Sequence, residues 1–346
     1  MKPFKYLIIC AAAWIGCQEA RAQQAIKPRL VVQIVVSQMR YDYLDRFRDN
    51  FCDNGFRAFM EKGTNFTNAR HSYMQTNTVA GLATIVTGTP PSGHGVIAES
   101  WYNFTTGDSV NLIEDWIDFT TNNPVNLIAD PSVTGLDCDA GVGCYSPLNL
   151  TAATLGDRLK ESDPKSKSIA LAADPYSAIV CGGPSSDVYW MNTGHGTWVS
   201  SSYYFEKLPY WIKKYNETAF ASTLLDREWT PDKSFESYRN TDTTVLSFIP
   251  DTQSGIGNFL RGIVRIFKKD DPRTDYAMLQ YMPAGNTLVS SFARETIVQE
   301  ELGKDNHTDL LTICYDTPRL ICERFGPRSI EVEDMYYKLD REIGEL

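Results

Sequence analysis

Three short apolar runs in the chain have the pattern of strands that are buried on both faces. They cover residues 30–36 (LVVQIVV), 168–173 (SIALAA) and 309–315 (DLLTICY). Near-continuous apolar runs of this length are typical of parallel strands that helices cover on both sides. The pattern therefore predicts an α/β fold with a mostly parallel sheet flanked by helices.

Helical patterns separate these runs. Apolar residues recur at spacings of three and four from Val332 to Leu346, which predicts an amphipathic helix over 329–346. The segment 73–88 is predicted to begin as a loop and to continue as a helix. Further helices are predicted over 41–62, 151–160 and 286–301.

The first 22 residues have the pattern of a signal peptide. Lys2 and Lys5 precede an apolar run over 6–15, and the sequence ARA at 20–22 is a small-x-small cleavage site. The run is too short to span a membrane as a mature helix. We expect export to the periplasm or the medium. Lipidation of Cys17 in the sequence WIGC is the alternative, which fits less well because Trp14 is unusual there.

The middle of the chain, 187–283, is rich in Tyr, Trp, Ser and Thr, and residues 189–200 are predicted to form a hairpin with a glycine-containing turn. We predict an aromatic-rich cap over 187–283, inserted into an α/β core, with satellite apolar packing as the simplest role for its aromatic residues. The predicted division is a signal peptide at 1–22, core at 23–186, cap at 187–283 and continued core at 284–346.

The amino-acid composition limits the kinds of molecule that the protein is expected to bind. The chain has 346 residues, a formal net charge of −10 and a pI of about 5.0, which argues against nucleic acid or an anionic membrane as the main partner. No stretch after the signal segment is long and apolar enough to be transmembrane. Export permits disulfides, and Cys138 and Cys144 bracket a short loop, so we predict a bridge between them.

Candidate chemistry lies at the end of the first predicted strand and in the hydroxyl-rich segment at 73–88. Ser37 follows the strand directly, where parallel sheets collect ligands and catalytic groups. Thr78 opens the following predicted helix. It is either a reactive hydroxyl or a helix N-cap, and the amides of that helix end can hold an anion beside it.

Several ordered stretches resemble the alkaline phosphatase superfamily, and within it the exported bacterial phosphomonoesterases related to type I phosphodiesterases and nucleotide pyrophosphatases. The resemblance runs from about residue 28 to the C-terminus, with matches that include 30–44 (LVVQIVVSQMRYDYL), 76–78, 85–88, 94–95 and 324–327 (RFGP). It implies an alkaline-phosphatase-like sheet, two zinc ions held by carboxylates and imidazoles, and a Ser or Thr nucleophile at Thr78.

The positions of the implied zinc ligands are substituted. The resemblance places Asp, Asp and His where this chain has Ser37, Arg319 and Glu323. A neutral hydroxyl is a poor zinc ligand, and a guanidinium has no lone pair to offer and stays charged, so only Glu323 is able to bind a metal. The family's remaining ligands lie beyond the helix at 329–346, and the chain ends before that segment.

The implied phosphate contacts are substituted as well. Glu99, Asp174 and Tyr176 stand where the resemblance places Asn, Lys and Arg. A carboxylate beside a phosphate dianion is electrostatically unfavourable. These positions favour a ligand other than phosphate.

We therefore expect an exported superfamily member that has lost metal-dependent phosphoester hydrolysis and has a binding or structural role. No cofactor is expected, and Thr78 is a vestigial nucleophile position. The alternative is an active zinc-dependent phosphomonoesterase or phosphodiesterase with a remodelled site of Thr78, Glu323 and Asp316. Because the implied fold has a further core strand, either the reading frame is shortened or a second polypeptide completes the sheet.

Overall fold

A six-stranded sheet lies at the centre of the computed structural model, which describes residues 27–115, 127–128, 144–225, 227, 229–240 and 276–346. The strands of the described residues are β1 (Leu30–Val36), β2 (Ser100–Asn103), β3 (Asp108–Asn111), β4 (Leu127–Ile128), β5 (Ser168–Ala172), β6 (Asp187–Asn192), β7 (Thr197–Ser201) and β8 (Asp309–Tyr315). β2 and β3 form a separate antiparallel pair, and the other six make up the central sheet. The sheet order is β1-β8-β5-β6-β7-β4; the first four strands are parallel, and β7 and β4 are antiparallel to their neighbours. The predicted mostly parallel α/β sheet is thus confirmed.

The helices cover both faces of this sheet. They are α1 (Tyr41–Arg46), α2 (Phe56–Lys62), α3 (Thr78–Thr87), α4 (Pro91–His94), α5 (Leu155–Ser162), α6 (Pro175–Gly182), α7 (Tyr210–Glu217), α8 (Phe220–Leu225), α9 (Pro283–Gln299), α10 (Thr317–Phe325) and α11 (Ile330–Glu345). Apolar residues of α3 and α6 pack on one face of the sheet, and those of α9 and α11 pack on the other. The helices predicted near 155, 286 and 330 are present, with shifted ends.

The single helix predicted over 41–62 is wrong, because α1 and α2 are separate helices. Between them the chain makes a 3-10 turn at Arg48–Asn50 and then becomes extended. The carboxylate of Asp340 accepts hydrogen bonds from the amides of Cys52 (2.5 Å) and Phe56 (2.6 Å). A side chain at Gly55 would clash with the same carboxylate. A contact with α11, which no local pattern reveals, therefore interrupts the helix.

Helix α11 also holds the segment 229–240 through a buried carboxylate. Asp334 accepts hydrogen bonds from Trp229 Nε1, Tyr238 OH and the amide of Asp232, each at 2.6 Å. The ammonium of Lys338 also lies 3.1 Å from Oδ2 of Asp334. Three hydrogen-bond donors and one cation thus satisfy a carboxylate that has no access to water, which is the condition for burying a charge without a large penalty. This part of the predicted cap is thus fixed to the core.

The described part of the predicted cap begins within the main sheet. β6 and β7 form the expected hairpin, and β6 pairs with β5 as a core strand. The ring of Trp198 stacks on Phe292 with centroids 3.9 Å apart, which is aromatic packing inside the core. The boundary at 187 and the four-part division stay predictions.

The signal segment and Cys138, with its predicted bridge to Cys144, lie outside the described residues. Within the described ranges, every helix is too short or too polar to cross a membrane.

Candidate functional site

Ser37 lies at the carboxyl end of β1, directly beside the carboxyl end of β8. Val36 is paired with Tyr315 in the parallel register, and the amide of Ser37 donates to the carbonyl of Tyr315 at 3.0 Å. The Ser37 hydroxyl is buried and donates to Oδ1 of Asp316 at 3.3 Å. Gln38 then adopts a φ of 59°, so the backbone turns sharply away from the sheet.

Asp316 is a buried carboxylate that accepts hydrogen bonds from a hydroxyl at the end of β1 and from a hydroxyl in the first turn of α6, the helix that follows β5. Besides Ser37, Ser177 Oγ donates to its Oδ1 at 2.6 Å, and the amide of Asp174 lies 3.4 Å from its Oδ2. Burial and the nearby charge of Asp174 raise the pKa of Asp316 to about 7. From the sequence, Asp316 was predicted to take part only in the alternative active site. The parallel register of β1, β8 and β5 makes it the centre of this polar cluster.

The three predicted phosphate-contact positions lie around this cluster. Asp174 caps α6 by accepting a hydrogen bond from the amide of Ser177 at 2.9 Å, and burial raises the pKa of Asp174. Tyr176 OH accepts a hydrogen bond from Asn111 Nδ2 at 2.8 Å. Desolvation and the charge of Asp174 raise the pKa of Glu99. The two carboxylates are thus close enough to repel each other.

An open pocket of about 600 Å³ lies next to this cluster, between the end of β1 and the beginnings of α3 and α10. It brings together four of the predicted site residues, Ser37, Thr78, Arg319 and Glu323, whereas Glu99, Asp174 and Tyr176 are not in its lining. The pocket is also lined by Val35, Val36, Gln38, Met39, Arg40, His71, Thr76, Asn77, Gly81, Leu82 and Ile85.

Thr78 is the first residue of α3, and the N-cap is Asn77. The Asn77 side chain accepts a hydrogen bond from the amide of Ala80 at 3.0 Å and donates one to the carbonyl of Ile97. The alternative that Thr78 is the cap is therefore wrong. Asn directly before a helix is a recognised cap signal, so the sequence contained the information. Within the described residues, no hydrogen bond involves the Thr78 hydroxyl.

The guanidinium of Arg319 lies in the lining of the pocket, where several carboxylates are near it. Its Nη1 lies 3.3 Å from Glu323 Oε2, one helical turn further along α10, and its side chain is 16% exposed. Burial by itself would lower the pKa of Arg319, but the carboxylates of Asp316, Glu323 and Asp174 raise it. Arg319 is thus a fixed positive charge that balances the acidic groups at this edge of the sheet.

The residues at this site do not fit zinc. A zinc site requires at least three ligands from carboxylate, imidazole and thiolate groups. Ser37 offers a hydroxyl that is hydrogen-bonded to Asp316, Arg319 offers a cation, and Glu323 is held in an ion pair. Within the described part of the chain, no three His, Cys, Asp or Glu side chains converge as a metal-binding group.

The histidines near the site have different surroundings. His94 is buried, where its Nε2 lies 3.0 Å from Thr84 Oγ1 and its Nδ1 accepts from the amide of Val96 at 3.1 Å. Burial lowers the pKa of His94, which is consistent with a structural role. His71 lines the pocket, and its place there was not predicted because no sequence motif marks this residue.

Comparison with known proteins places this geometry in a family. A model of the type I phosphodiesterase / nucleotide pyrophosphatase family matches residues 31–346. The chain is 28% identical over 348 residues to alkaline phosphatase PhoV of Synechococcus elongatus, covering 98% of this chain and 60% of PhoV. It is 31% identical over 355 residues to a calcium-transporting ATPase of Myroides odoratus, covering 99% of this chain and 60% of that protein.

Alkaline phosphatase PafA of Elizabethkingia meningoseptica is similar in both sequence and structure. It is 29% identical over 361 residues, which cover all of this chain and 61% of PafA. The crystal structure of wild-type PafA superposes with a TM-score of 0.74 at 27% identity, and that of a quadruple mutant with a TM-score of 0.77 at 28% identity. These superpositions cover 92% of this chain and 58% and 59% of the PafA chains.

The chain thus spans about 60% of the length of these curated relatives. The family match extends over nearly all of it, and the sheet, with its flanking helices, superposes on that of PafA. This chain therefore belongs to the type I phosphodiesterase / nucleotide pyrophosphatase family, within the alkaline phosphatase superfamily.

Proposed function

We propose that this protein is an exported member of its family that has lost metal-dependent phosphoester hydrolysis and acts by binding a ligand in the pocket beside Thr78. The guanidinium of Arg319 carries the proposal. It lines the same pocket as Thr78, and the carboxylates of Glu323, Asp316 and Asp174 surround it. A metal ion placed there would meet a fixed positive charge at close range.

Among the described residues, no group is placed to activate the Thr78 hydroxyl. A threonine hydroxyl is a weak nucleophile at neutral pH unless a base or a metal lowers its pKa. His71 lines the same pocket, but no hydrogen bond joins it to Thr78 within the described residues. Thr78 is therefore proposed to be a vestigial nucleophile position.

The ligand is proposed to be something other than a phosphate dianion. Glu99 and Asp174 do not line the pocket, but they stand at the positions that the resemblance assigns to phosphate contacts, and Asp174 is close enough to act on Arg319 in the lining. The carboxylates of Glu99 and Asp174 already repel each other. Adding a dianion would increase that repulsion. Inorganic phosphate is thus expected to leave the melting temperature of the protein unchanged.

Hydrolysis assays test the proposal directly. Purified protein with added zinc is expected to hydrolyse p-nitrophenyl phosphate and bis(p-nitrophenyl) phosphate no faster than buffer does. The Elizabethkingia PafA serves as the positive control in the same assay. Turnover by the wild type that Thr78→Ala abolishes would refute the proposal, whereas turnover that survives this substitution indicates a contaminating phosphatase.

An active enzyme that uses Thr78, Glu323, Asp316 and zinc is the competing function. In the structure, the Asp316 carboxylate is hydrogen-bonded to Ser37 and Ser177, and the Glu323 carboxylate is paired with Arg319. These contacts favour the inactive protein. Elemental analysis that finds stoichiometric zinc, manganese or magnesium in the purified protein would favour the active one.

Export is proposed from the N-terminal signal alone. Expression in a bacterium followed by mass spectrometry of the mature protein is expected to give an N-terminus at Gln23. A mature N-terminus at a lipidated Cys17 would indicate a membrane-anchored lipoprotein instead.

A further inference from the structure

A groove between α7, the beginning of α8 and α9 lies apart from the pocket beside Thr78. Its volume is about 520 Å³, within the range of roughly 300–1,000 Å³ that small-molecule sites have, and its lining shares no residue with that of the pocket. Every described residue of the lining is either aromatic or carries a hydrogen-bonding side chain, and none is aliphatic. Grooves that dock an amphipathic helix are lined by apolar side chains. This composition therefore indicates a small polar ligand.

Four aromatic side chains form one part of the groove wall. They are Tyr210, Trp211, Tyr215 and Phe220. Trp211 Nε1 donates a hydrogen bond to Glu300 Oε1 at 2.7 Å, and Tyr215 OH donates one to Ser291 Oγ at 2.9 Å. These two rings are thus held in place before a ligand arrives, which reduces the entropy that binding costs.

The ring of Tyr210 is open to solvent. Tyr210 is 70% exposed, so packing in the core does not account for an aromatic residue at this position. The ammonium of Lys214 lies 5.5 Å from the ring centroid and is paired with Glu217 at 2.7 Å. The face of an aromatic ring is electron-rich, and the C–H bonds on one face of a pyranose sugar carry partial positive charge. An exposed ring next to hydrogen-bonding groups is therefore a suitable surface for a sugar to stack on.

Helix α9 contributes a polar stripe on the other side of the groove. Ser291, Glu295 and Gln299 follow one another at spacings of four, so they share one face of the helix. Gln299 Nε2 donates a hydrogen bond to Glu295 Oε1 at 2.7 Å. Among the described residues, no donor reaches Glu295 Oε2 or Gln299 Oε1. These two oxygens are thus able to accept hydrogen bonds from the hydroxyl groups of a ligand.

The charges of the groove favour a neutral ligand. Lys214 and Glu295 are the charged residues of the described lining, and their charges are opposite. Glu217 also balances the ammonium of Lys214. An ion would therefore lose hydration here without meeting a net opposite charge.

We propose that this groove binds a neutral carbohydrate. A pyranose ring stacks on the aromatic wall at Tyr210, and sugar hydroxyls donate to the free oxygens of Glu295 and Gln299. The site is additional to the pocket beside Thr78, and neither proposal depends on the other.

Saturation-transfer difference NMR tests this inference. The probes are maltose, cellobiose, lactose and N,N′-diacetylchitobiose, each added in excess to the purified protein. Saturation of the aromatic protons of the protein is expected to reach the ring protons of at least one of these sugars, and to be strongest at the C–H protons of one ring face. Titration of that sugar then gives its Kd.

Variants separate binding in the groove from binding elsewhere. Tyr210→Ala removes the stacking surface, Glu295→Ala removes the free acceptor, and each is expected to weaken binding at least fivefold. Tyr210→Phe keeps the ring and is expected to retain binding. Tyr102→Ala is the matched control, because Tyr102 is also exposed, at 54%, and lies in β2 outside the groove.

Three results would overturn the proposal. The first is no transfer to any of the four sugars. The second is transfer that survives either Tyr210→Ala or Glu295→Ala, or that Tyr102→Ala abolishes equally, because the sugar would then bind elsewhere or without specificity. The third is a dimer in sedimentation velocity that Tyr210→Ala dissociates, because a second copy of the chain would then fill the groove.

Discussion

The Ser37 hydroxyl donates a hydrogen bond to the Asp316 carboxylate across 3.3 Å, although 279 positions separate the two residues in the chain. Ser37 directly follows β1, Asp316 directly follows β8, and the parallel register brings the two strand ends together. A carboxylate at position 37 would lie against the buried carboxylate of Asp316, and the two charges would repel each other. Ser37 and Asp316 therefore fit as a pair: a hydroxyl donor and a buried acceptor.

Replacing Asp316 with Asn is expected to flatten the dependence of stability on pH. The pKa of Asp316 is about 7 in the folded protein, against a usual 3.8, so between these values the folded state holds a proton that the unfolded state has released. This residue therefore makes the free energy of unfolding fall as pH rises through that window, with a slope of at most about 1.4 kcal/mol per pH unit. In Asp316→Asn this contribution disappears.

Urea unfolding at several pH values between 4 and 8 measures the effect. Asp53→Asn is the matched control, because Asp53 is exposed and its partner in the described part of the chain is Arg57, at the surface. The control is expected to keep the slope of the wild type. An identical slope in Asp316→Asn and in the wild type would contradict the prediction.

Replacing Arg319 with Met is expected to lower the free energy of unfolding by about 2 kcal/mol, because the substitution leaves partly buried carboxylates without their balancing charge. Arg158→Met is the control, since Arg158 is 68% exposed and its pair with Glu161 lies at the surface. That change is expected to cost less than about 0.5 kcal/mol. Chemical denaturation compares the two variants, and equal losses would show that Arg319 is an ordinary surface residue.

The triple variant Ser37→Asp, Arg319→Asp, Glu323→His is expected to gain zinc binding. All three positions line one pocket, so the substitutions replace a hydroxyl and a cation with carboxylates and supply an imidazole. Isothermal titration calorimetry is expected to show zinc affinity at least tenfold above that of the wild type. The single variant Ser37→Asp is the control and is expected to gain none, because Arg319 remains. Wild-type protein that binds zinc as tightly as the triple variant would contradict this prediction.

Removing the Asp334 carboxylate is expected to destabilise the protein strongly. Asp334→Ala leaves three donors, from Trp229, Asp232 and Tyr238, without their acceptor, at a cost of about 3 kcal/mol. Glu345→Ala, on the same helix, is the control because its side chain is 68% exposed. Thermal unfolding is the measurement. A small loss in Asp334→Ala would mean that the segment 229–240 adds little to stability.

The pattern of apolar residues within a segment predicted those strands and helices that are marked by their own side chains. β1, β5 and β8 are visible as apolar runs because a strand covered on both faces needs apolar side chains throughout. Helix α11 could be predicted from the sequence because its apolar residues recur at spacings of three and four. The break at Gly55 was not predicted, because its cause is the Asp340 carboxylate on a helix almost 300 positions away.

For the candidate site, too, some residues could be predicted from the sequence and others could not. The substitutions at Ser37, Arg319 and Glu323 can be found in the sequence once the resemblance supplies their positions, and the structure places all three at one pocket. Asn77 as the cap of α3 was predictable from its place before the helix. The role of His71 was not, because a single histidine in a loop has no pattern that marks what it faces.

The sequence by itself determined the α/β class and the succession of elements, since apolar periodicity encodes which faces are buried. It also determined that a hydroxyl and a guanidinium stand at the implied ligand positions. Only the tertiary structure decided what those residues touch. The parallel pairing of β1 with β8 puts Ser37 beside Asp316, and the position of α10, which begins directly after β8, puts Arg319 among carboxylates. These contacts depend on strand register and helix position, which are set by long-range packing that no local pattern contains.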